Sequence, residues 1–88
     1  PPSPELQREC EAIRKVGYAV DNEDNEPGLR CVGAAITNSE GVPIGAISIS
    51  APIYRFTEEK IPLFGSVVAQ TAMEISNAWK DRYKQESN

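Results

Sequence analysis

The sequence contains no histidine, and this absence narrows the chemistry that its 88 residues can carry. Histidine is the commonest base that activates a serine or cysteine nucleophile, and it is the commonest nitrogen ligand of zinc. The two cysteines, Cys10 and Cys31, have no metal-binding or redox spacing, and we interpret them as reduced, partly buried thiols. We therefore expect no catalytic centre, no metal site and no cofactor.

Phosphate loops, calcium loops and membrane spans are also missing from the sequence. The glycines fit neither the GxGxxG nor the GxxxxGKS spacing. The acidic run 21–26, DNEDNE, has Glu26 and then Val32 where an EF-hand calcium loop needs glycine and glutamate, so we interpret it as a solvated loop. No apolar run approaches the ~20 residues of a membrane span, and the first residues do not resemble a signal peptide. We expect a cytoplasmic protein without membrane contact.

The composition that remains is typical of one small globular domain, which we assign to residues 1–88. Apolar residues make up 40% of the chain and charged residues 25%. The net charge is −4, and the lysines and arginines are scattered, so this chain is not expected to bind DNA or RNA itself. A core of this size is marginal on its own. We therefore expect the chain to be part of a longer protein.

The central segment, residues 28–50, predicts a β-hairpin because its side chains alternate with a period of two. If residues 38–41, NSEG, form the loop, Thr37 pairs with Val42 and Cys31 lies opposite Ser48. One face of the hairpin is then apolar and branched, as a surface under a helix should be. The opposite face carries small side chains, which are Cys31, Gly33, Ala35, Ala46, Ser48 and Ser50.

Helix signals flank the hairpin on both sides. Ser3 is a candidate N-cap, Gly17 a candidate left-handed C-cap, and residues 18–21 a short strand. A longer helix begins after Thr57, with a kink or a 3₁₀ first turn because of Pro62. The apolar stripe of the first helix is Leu6, Cys10, Ile13 and Val16, and that of the second is Ile61, Phe64, Val68, Ala72, Ile75 and Trp79. The predicted order is helix-strand-strand-strand-helix.

The small face of the hairpin is the candidate binding site. Ser48, Ser50 and Cys31 offer hydroxyl and thiol donors beside Gly33, whose missing side chain leaves space for a small polar molecule. Asp21, at the end of the preceding strand, can accept hydrogen bonds from such a molecule. The alternative is that both serines are ordinary strand residues whose hydroxyls bond to the backbone.

The sequence contains two short segments, GLRC at 28–31 and SISAP at 48–52, and their occurrence together at this separation is a specific signal. Further matching residues are Ile13-Arg14, Gly17-Tyr18-Ala19, Asp21, Glu23-Asp24, Ala34-Ala35-Ile36, Gly41, Ala46-Ile47 and Arg55. On these residues the chain, over about residues 5–80, resembles the C-terminal half of the effector-binding domain of the IclR family of bacterial transcriptional regulators. Three residues depart from the family pattern: Asp24 replaces a glutamate, Ala51 replaces the usual glycine, and Pro62 falls in a helix.

The resemblance implies an α/β (α+β) fold, with an antiparallel sheet flanked by helices, similar to GAF and profilin folds. It implies a domain that binds a small metabolite, often a carboxylate or a sugar acid, through Asp21, Cys31, Ser48 and Ser50. DNA would be bound only by a separate winged helix-turn-helix domain outside this sequence. Homodimers or homotetramers are the expected assemblies, and no enzyme activity is expected.

A second function remains open from the sequence. The chain can be a GAF- or PAS-like module that dimerises through its long helix and binds no ligand. In that case Phe64, Trp79 and Tyr83 would form a helix-to-helix interface, and protein would cover the face that carries Cys31 and Ser48.

Overall fold

The computed structural model describes residues 3–86, with the side chains of residues 3–9 and 11–82. Its elements are α1 (Pro4–Val16), β1 (Ala19–Asn22), β2 (Leu29–Thr37), β3 (Pro43–Pro52), a 3₁₀ turn (Glu58–Lys60) and α2 (Ile61–Glu86). The strands form one antiparallel sheet in the order β1-β2-β3. The predicted element order and the α+β class are confirmed. Within residues 3–86, no helix combines the length and apolar character that crossing a membrane requires.

Helix α1 has the predicted ends. The Ser3 hydroxyl accepts a hydrogen bond from the Leu6 backbone N–H at 3.1 Å. At the other end Gly17 has φ of 85°, and its N–H donates to the Ile13 carbonyl at 2.7 Å. The apolar stripe of α1 is left largely uncovered by the other described residues, since Leu6 is 48% exposed and Val16 52%. The side chain of Cys10 lies outside the described residues.

The predicted register of the hairpin is wrong by two residues. Cys31 pairs with Ser50, and Gly33 pairs with Ser48. The loop holds one more residue than predicted, because the Asn38 side chain accepts hydrogen bonds from the N–H groups of both Glu40 and Val42. An irregularity between Ile36 and Thr37 adds the second residue of the shift.

The two faces of the sheet are nevertheless the predicted ones, because a shift of two residues leaves every side chain on its own side. Helix α2 covers the branched face. The buried core consists of Val32, Ala34, Phe56, Val68 and Ala72. Phe56 lies outside the predicted strands and helical stripes, yet it is fully buried, and its ring meets that of Phe64 edge to face at a centroid distance of 4.8 Å.

Helix α2 departs from its predicted stripe toward the C-terminus. Ser76 is buried, whereas Ile75 is 40% exposed and Trp79 is 49% exposed. The Ser76 hydroxyl donates to the Ala72 carbonyl at 2.7 Å and accepts from the Thr37 N–H at 2.9 Å. A serine therefore ties the end of β2 to α2, at a place where the pattern predicted an apolar contact.

The 3₁₀ turn that precedes α2 accommodates Pro62. A 3₁₀ first turn is one of the two arrangements that the sequence predicts. The regular helix begins at Ile61, directly after this turn. Pro62 thus lies in the first turn of α2, where its missing N–H removes no intrahelical bond. Thr57 precedes the 3₁₀ turn, but its side chain makes no capping hydrogen bond.

Gly65 of α2 packs face-on against the ring of Tyr18. A β-carbon added to Gly65 would overlap three ring carbons of Tyr18. We therefore expect Gly65→Ala to lower the free energy of unfolding by about 1–3 kcal/mol, because the ring must be displaced from a packed site. Thermal unfolding of the full-length protein measures the effect. Combining it with Tyr18→Leu should recover part of the loss, and equal losses with and without Tyr18 would exclude this contact as the cause.

Candidate functional site

The register places three of the four predicted site residues in one row across the sheet. Asp21 pairs with Cys31, and Cys31 pairs with Ser50. Directly opposite side chains share a face, with β-carbons about 4.5–5.5 Å apart. Ser48 lies on the same face in the next row, opposite Gly33, and successive rows on one face are about 7 Å apart. Asp21, Cys31, Ser48 and Ser50 thus share a small area.

The serine and cysteine side chains in this area are accessible to another molecule. Ser48 and Ser50 are exposed, and Cys31 is half-buried. Among the described residues, neither serine hydroxyl has a hydrogen-bond partner, so the alternative in which they bond to the backbone is not observed. The Cys31 thiol makes one weak contact, to the Val32 carbonyl at 3.9 Å. These groups keep their hydrogen-bonding capacity for another molecule.

Asp21 has a structural task that the sequence did not reveal. Its Oδ1 accepts a hydrogen bond from the Asp24 N–H at 2.9 Å, and its Oδ2 accepts one from the Asn25 side chain. The carboxylate thereby holds the acidic loop against the end of β1. Within the described side chains, no group of three potential metal ligands is found there or elsewhere. Asp21 borders the area that it shares with Cys31, Ser48 and Ser50, and its carboxylate has lone pairs left to accept a hydrogen bond from a hydroxyl group.

A groove of about 450 Å³ opens over the small face, within the usual size range of small-molecule sites. Its floor is formed by Gly33, Ala35, Ala46 and Ser48, because these side chains are too short to fill the space. The C-terminal end of α1 forms its wall. Of the predicted site residues only Ser48 lines this groove, while Asp21, Cys31 and Ser50 continue the same face beyond it.

Arg30 is a key residue that sequence reasoning missed. It is 6% exposed and lies on the helix-covered face. Its Nε donates to Asn22 Oδ1 at 2.9 Å, its Nη1 donates to the Phe56 carbonyl at 2.6 Å, and its Nη2 lies 3.9 Å from Glu58 Oε1. Arg30 therefore connects β1, β2 and the segment that leads into α2, directly beside Cys31. The one charged residue in an alternating apolar face was the available signal, since a buried charge needs partners.

Comparison with known proteins gives a consistent result. A family model described as "Bacterial transcriptional regulator IclR C-terminal" matches residues 2–77. The chain is 41% identical to the HTH-type transcriptional repressor AllR of Escherichia coli strain K12 over 75 residues, which is 85% of this chain and 28% of AllR. It is 39% identical to the transcriptional repressor IclR of the same strain over 74 residues, or 84% of this chain and 27% of that repressor.

A solved structure shares the fold. The crystal structure of the Thermotoga maritima IclR matches 86% of this chain and 31% of its own chain, with a TM-score of 0.75 and 49% sequence identity. The present chain thus spans between a quarter and a third of the length of these proteins.

Proposed function

The chain belongs to the IclR family of bacterial transcriptional regulators, and from this we propose that residues 1–88 form the C-terminal part of an effector-binding domain that senses a small carboxylate or sugar acid. The observation that carries the proposal is the open face of the sheet, where two unbonded serine hydroxyls and a thiol lie beside Gly33. We assign effector contacts to Asp21, Cys31, Ser48 and Ser50. The similar proteins named above are transcriptional regulators and not enzymes, in agreement with the absence of histidine.

The proposed mechanism links this face to a DNA-binding domain outside the chain. An effector that bonds to both strands favours one arrangement of the effector domains, and a separate winged helix-turn-helix domain responds in its affinity for DNA. A ligand shifts such an equilibrium only by its differential affinity for the two states, typically ~1–3 kcal/mol. We place the regulator in the cytoplasm, as a homodimer or homotetramer, with DNA and the effector as its partners.

Removal of both hydroxyls tests the assignment. We expect Ser48→Ala combined with Ser50→Ala to weaken effector binding by the full-length regulator about five- to 150-fold, because two hydrogen bonds worth ~0.5–1.5 kcal/mol each are lost. Isothermal titration calorimetry with pyruvate, glyoxylate, gluconate and benzoate measures the change. The matched control replaces Ser39 and Ser66, which are exposed and lie off this face. Unchanged affinity in the Ser48/Ser50 variant would reject the site.

The second candidate function is a dimerisation module without ligand, and the exposed Trp79 on α2 favours it. Phe64 does not support this function, because it packs inside the chain against Phe56. The side chain of Tyr83 lies outside the described residues. A thermal-shift screen with the same four acids separates the functions, because only a ligand that binds the folded state raises the melting temperature.

A further inference from the structure

One charged residue lines the groove over the small face, and it is Arg14 in the last turn of α1. The other lining residues are apolar or uncharged. Arg14 makes no hydrogen bond or ion pair with any side chain or backbone group of the described part of the chain. A guanidinium has five donors and cannot lose its charge in a protein, so this one can receive an anion.

Positive charge lies where the C-terminal end of α1 borders the small face. Arg14 also borders a second groove of about 390 Å³, whose charged lining residues are Arg14, Lys15 and Lys80, without a carboxylate. The acidic residues Glu23, Asp24 and Glu26 follow β1, beyond the row of Asp21, Cys31 and Ser50. Glu9 and Asp24 border a neighbouring groove of about 470 Å³, and neither of them lines the groove that contains Arg14 and Ser48. A carboxylate on this face is therefore repelled from the acidic loop and attracted toward Ser48 and Arg14.

We propose that Arg14 determines specificity for acidic effectors, by pairing with the effector carboxylate at the Ser48 end of the groove. The proposal rests on the proposed function and adds to it the orientation of the bound effector. The carboxylate lies between Arg14 and Ser48, and the hydroxyl or carbonyl end points toward Cys31 and Ser50, about 7 Å further along the strands. The sequence resemblance assigned no effector contact to Arg14.

If Arg14 had a purely structural role, replacement of Arg14 and replacement of Lys15 would affect binding equally. Arg14 and Lys15 both lie in the last turn of α1, where a positive charge stabilises the negative end of the helix dipole. Lys15 does not line the groove above the small face. Lys15→Gln is therefore the matched control, because it removes a charge from the same helical turn without touching the proposed site.

The test is calorimetric titration of the full-length regulator and its Arg14→Gln and Lys15→Gln variants. The probes are pyruvate, glyoxylate, gluconate and benzoate, each beside its neutral primary amide. We expect the wild type to bind at least one acid more tightly than its amide. Arg14→Gln should weaken that acid by about ten- to hundredfold, the range for a hydrogen bond to a charged group, while changing the affinity for the amide and the melting temperature little. Lys15→Gln should leave both affinities within about twofold.

Three results would overturn the proposal. Equal losses in Arg14→Gln and Lys15→Gln would make the effect a property of the helix terminus. Acid affinity that survives Arg14→Gln but is lost in the Ser48/Ser50 double variant would leave the proposed function intact and refute the role of Arg14. Absence of binding by every acid and amide to the wild type would reject the proposed function, and the Arg14 inference with it.

Discussion

Replacement of Arg30 by alanine is expected to lower the free energy of unfolding by about 1.5–3 kcal/mol, the range for hydrogen bonds made by a charged group. The guanidinium is buried, and its removal leaves the Phe56 carbonyl and the Asn22 side chain without their donor. The ion pair with Glu58 contributes little to this loss, since its atoms are 3.9 Å apart and the Glu58 side chain is 78% exposed. A loss of this size is a large fraction of the ~5–15 kcal/mol that stabilises a typical domain.

Thermal and urea unfolding of the full-length regulator measure the effect of Arg30→Ala. Arg55→Ala is the matched control, because Arg55 is exposed and its guanidinium lies over the ring of the exposed Tyr54, while its hydrogen bonds to Pro52 and Lys60 are made by the backbone. The control should change stability by less than about 0.5 kcal/mol. Arg30→Met keeps the packing of the aliphatic stem and should recover part of the loss. If Arg30→Ala unfolds no earlier than Arg55→Ala, the buried hydrogen bonds do not hold the connection between the sheet and α2.

The features that the sequence predicted correctly depend on neighbouring residues. Ser3 and Gly17 bound α1 because capping uses atoms within one helical turn. The faces of the hairpin follow from alternation, which survives a register shift of two residues. For this reason Cys31, Ser48 and Ser50 share a face although Cys31 does not pair with Ser48.

The features that the sequence did not predict depend on residues far apart in the chain or on loop geometry. The contact of Arg30 with Phe56 joins residues 26 positions apart, and no periodicity reports it. The register depends on the two hydrogen bonds accepted by Asn38 and on the positive φ of Gly41, which let the loop hold an additional residue. The role of Asp21 in holding the acidic loop likewise required the position of Asn25.

The site is open because its floor is made of short side chains, and Gly33 is the shortest of them. A β-carbon at Gly33 would meet the Ile47 carbonyl oxygen at 3.5 Å and the Ser48 β-carbon at 3.6 Å, which are ordinary contacts. The strand therefore tolerates a side chain here, and a larger one must extend into the groove. We expect Gly33→Leu to weaken effector binding by about a hundredfold, because the side chain and the ligand would occupy the same space.

The stability of Gly33→Leu should change little or increase, because glycine is a poor strand residue and the added β-carbon makes only ordinary contacts. Gly33→Ala is the control, since it adds only the β-carbon and should keep affinity within about fivefold. Calorimetry of the full-length variants with the acid that binds the wild type measures affinity, and thermal unfolding without ligand measures stability. Full affinity in a stably folded Gly33→Leu variant would show that the effector does not lie on this face of the sheet.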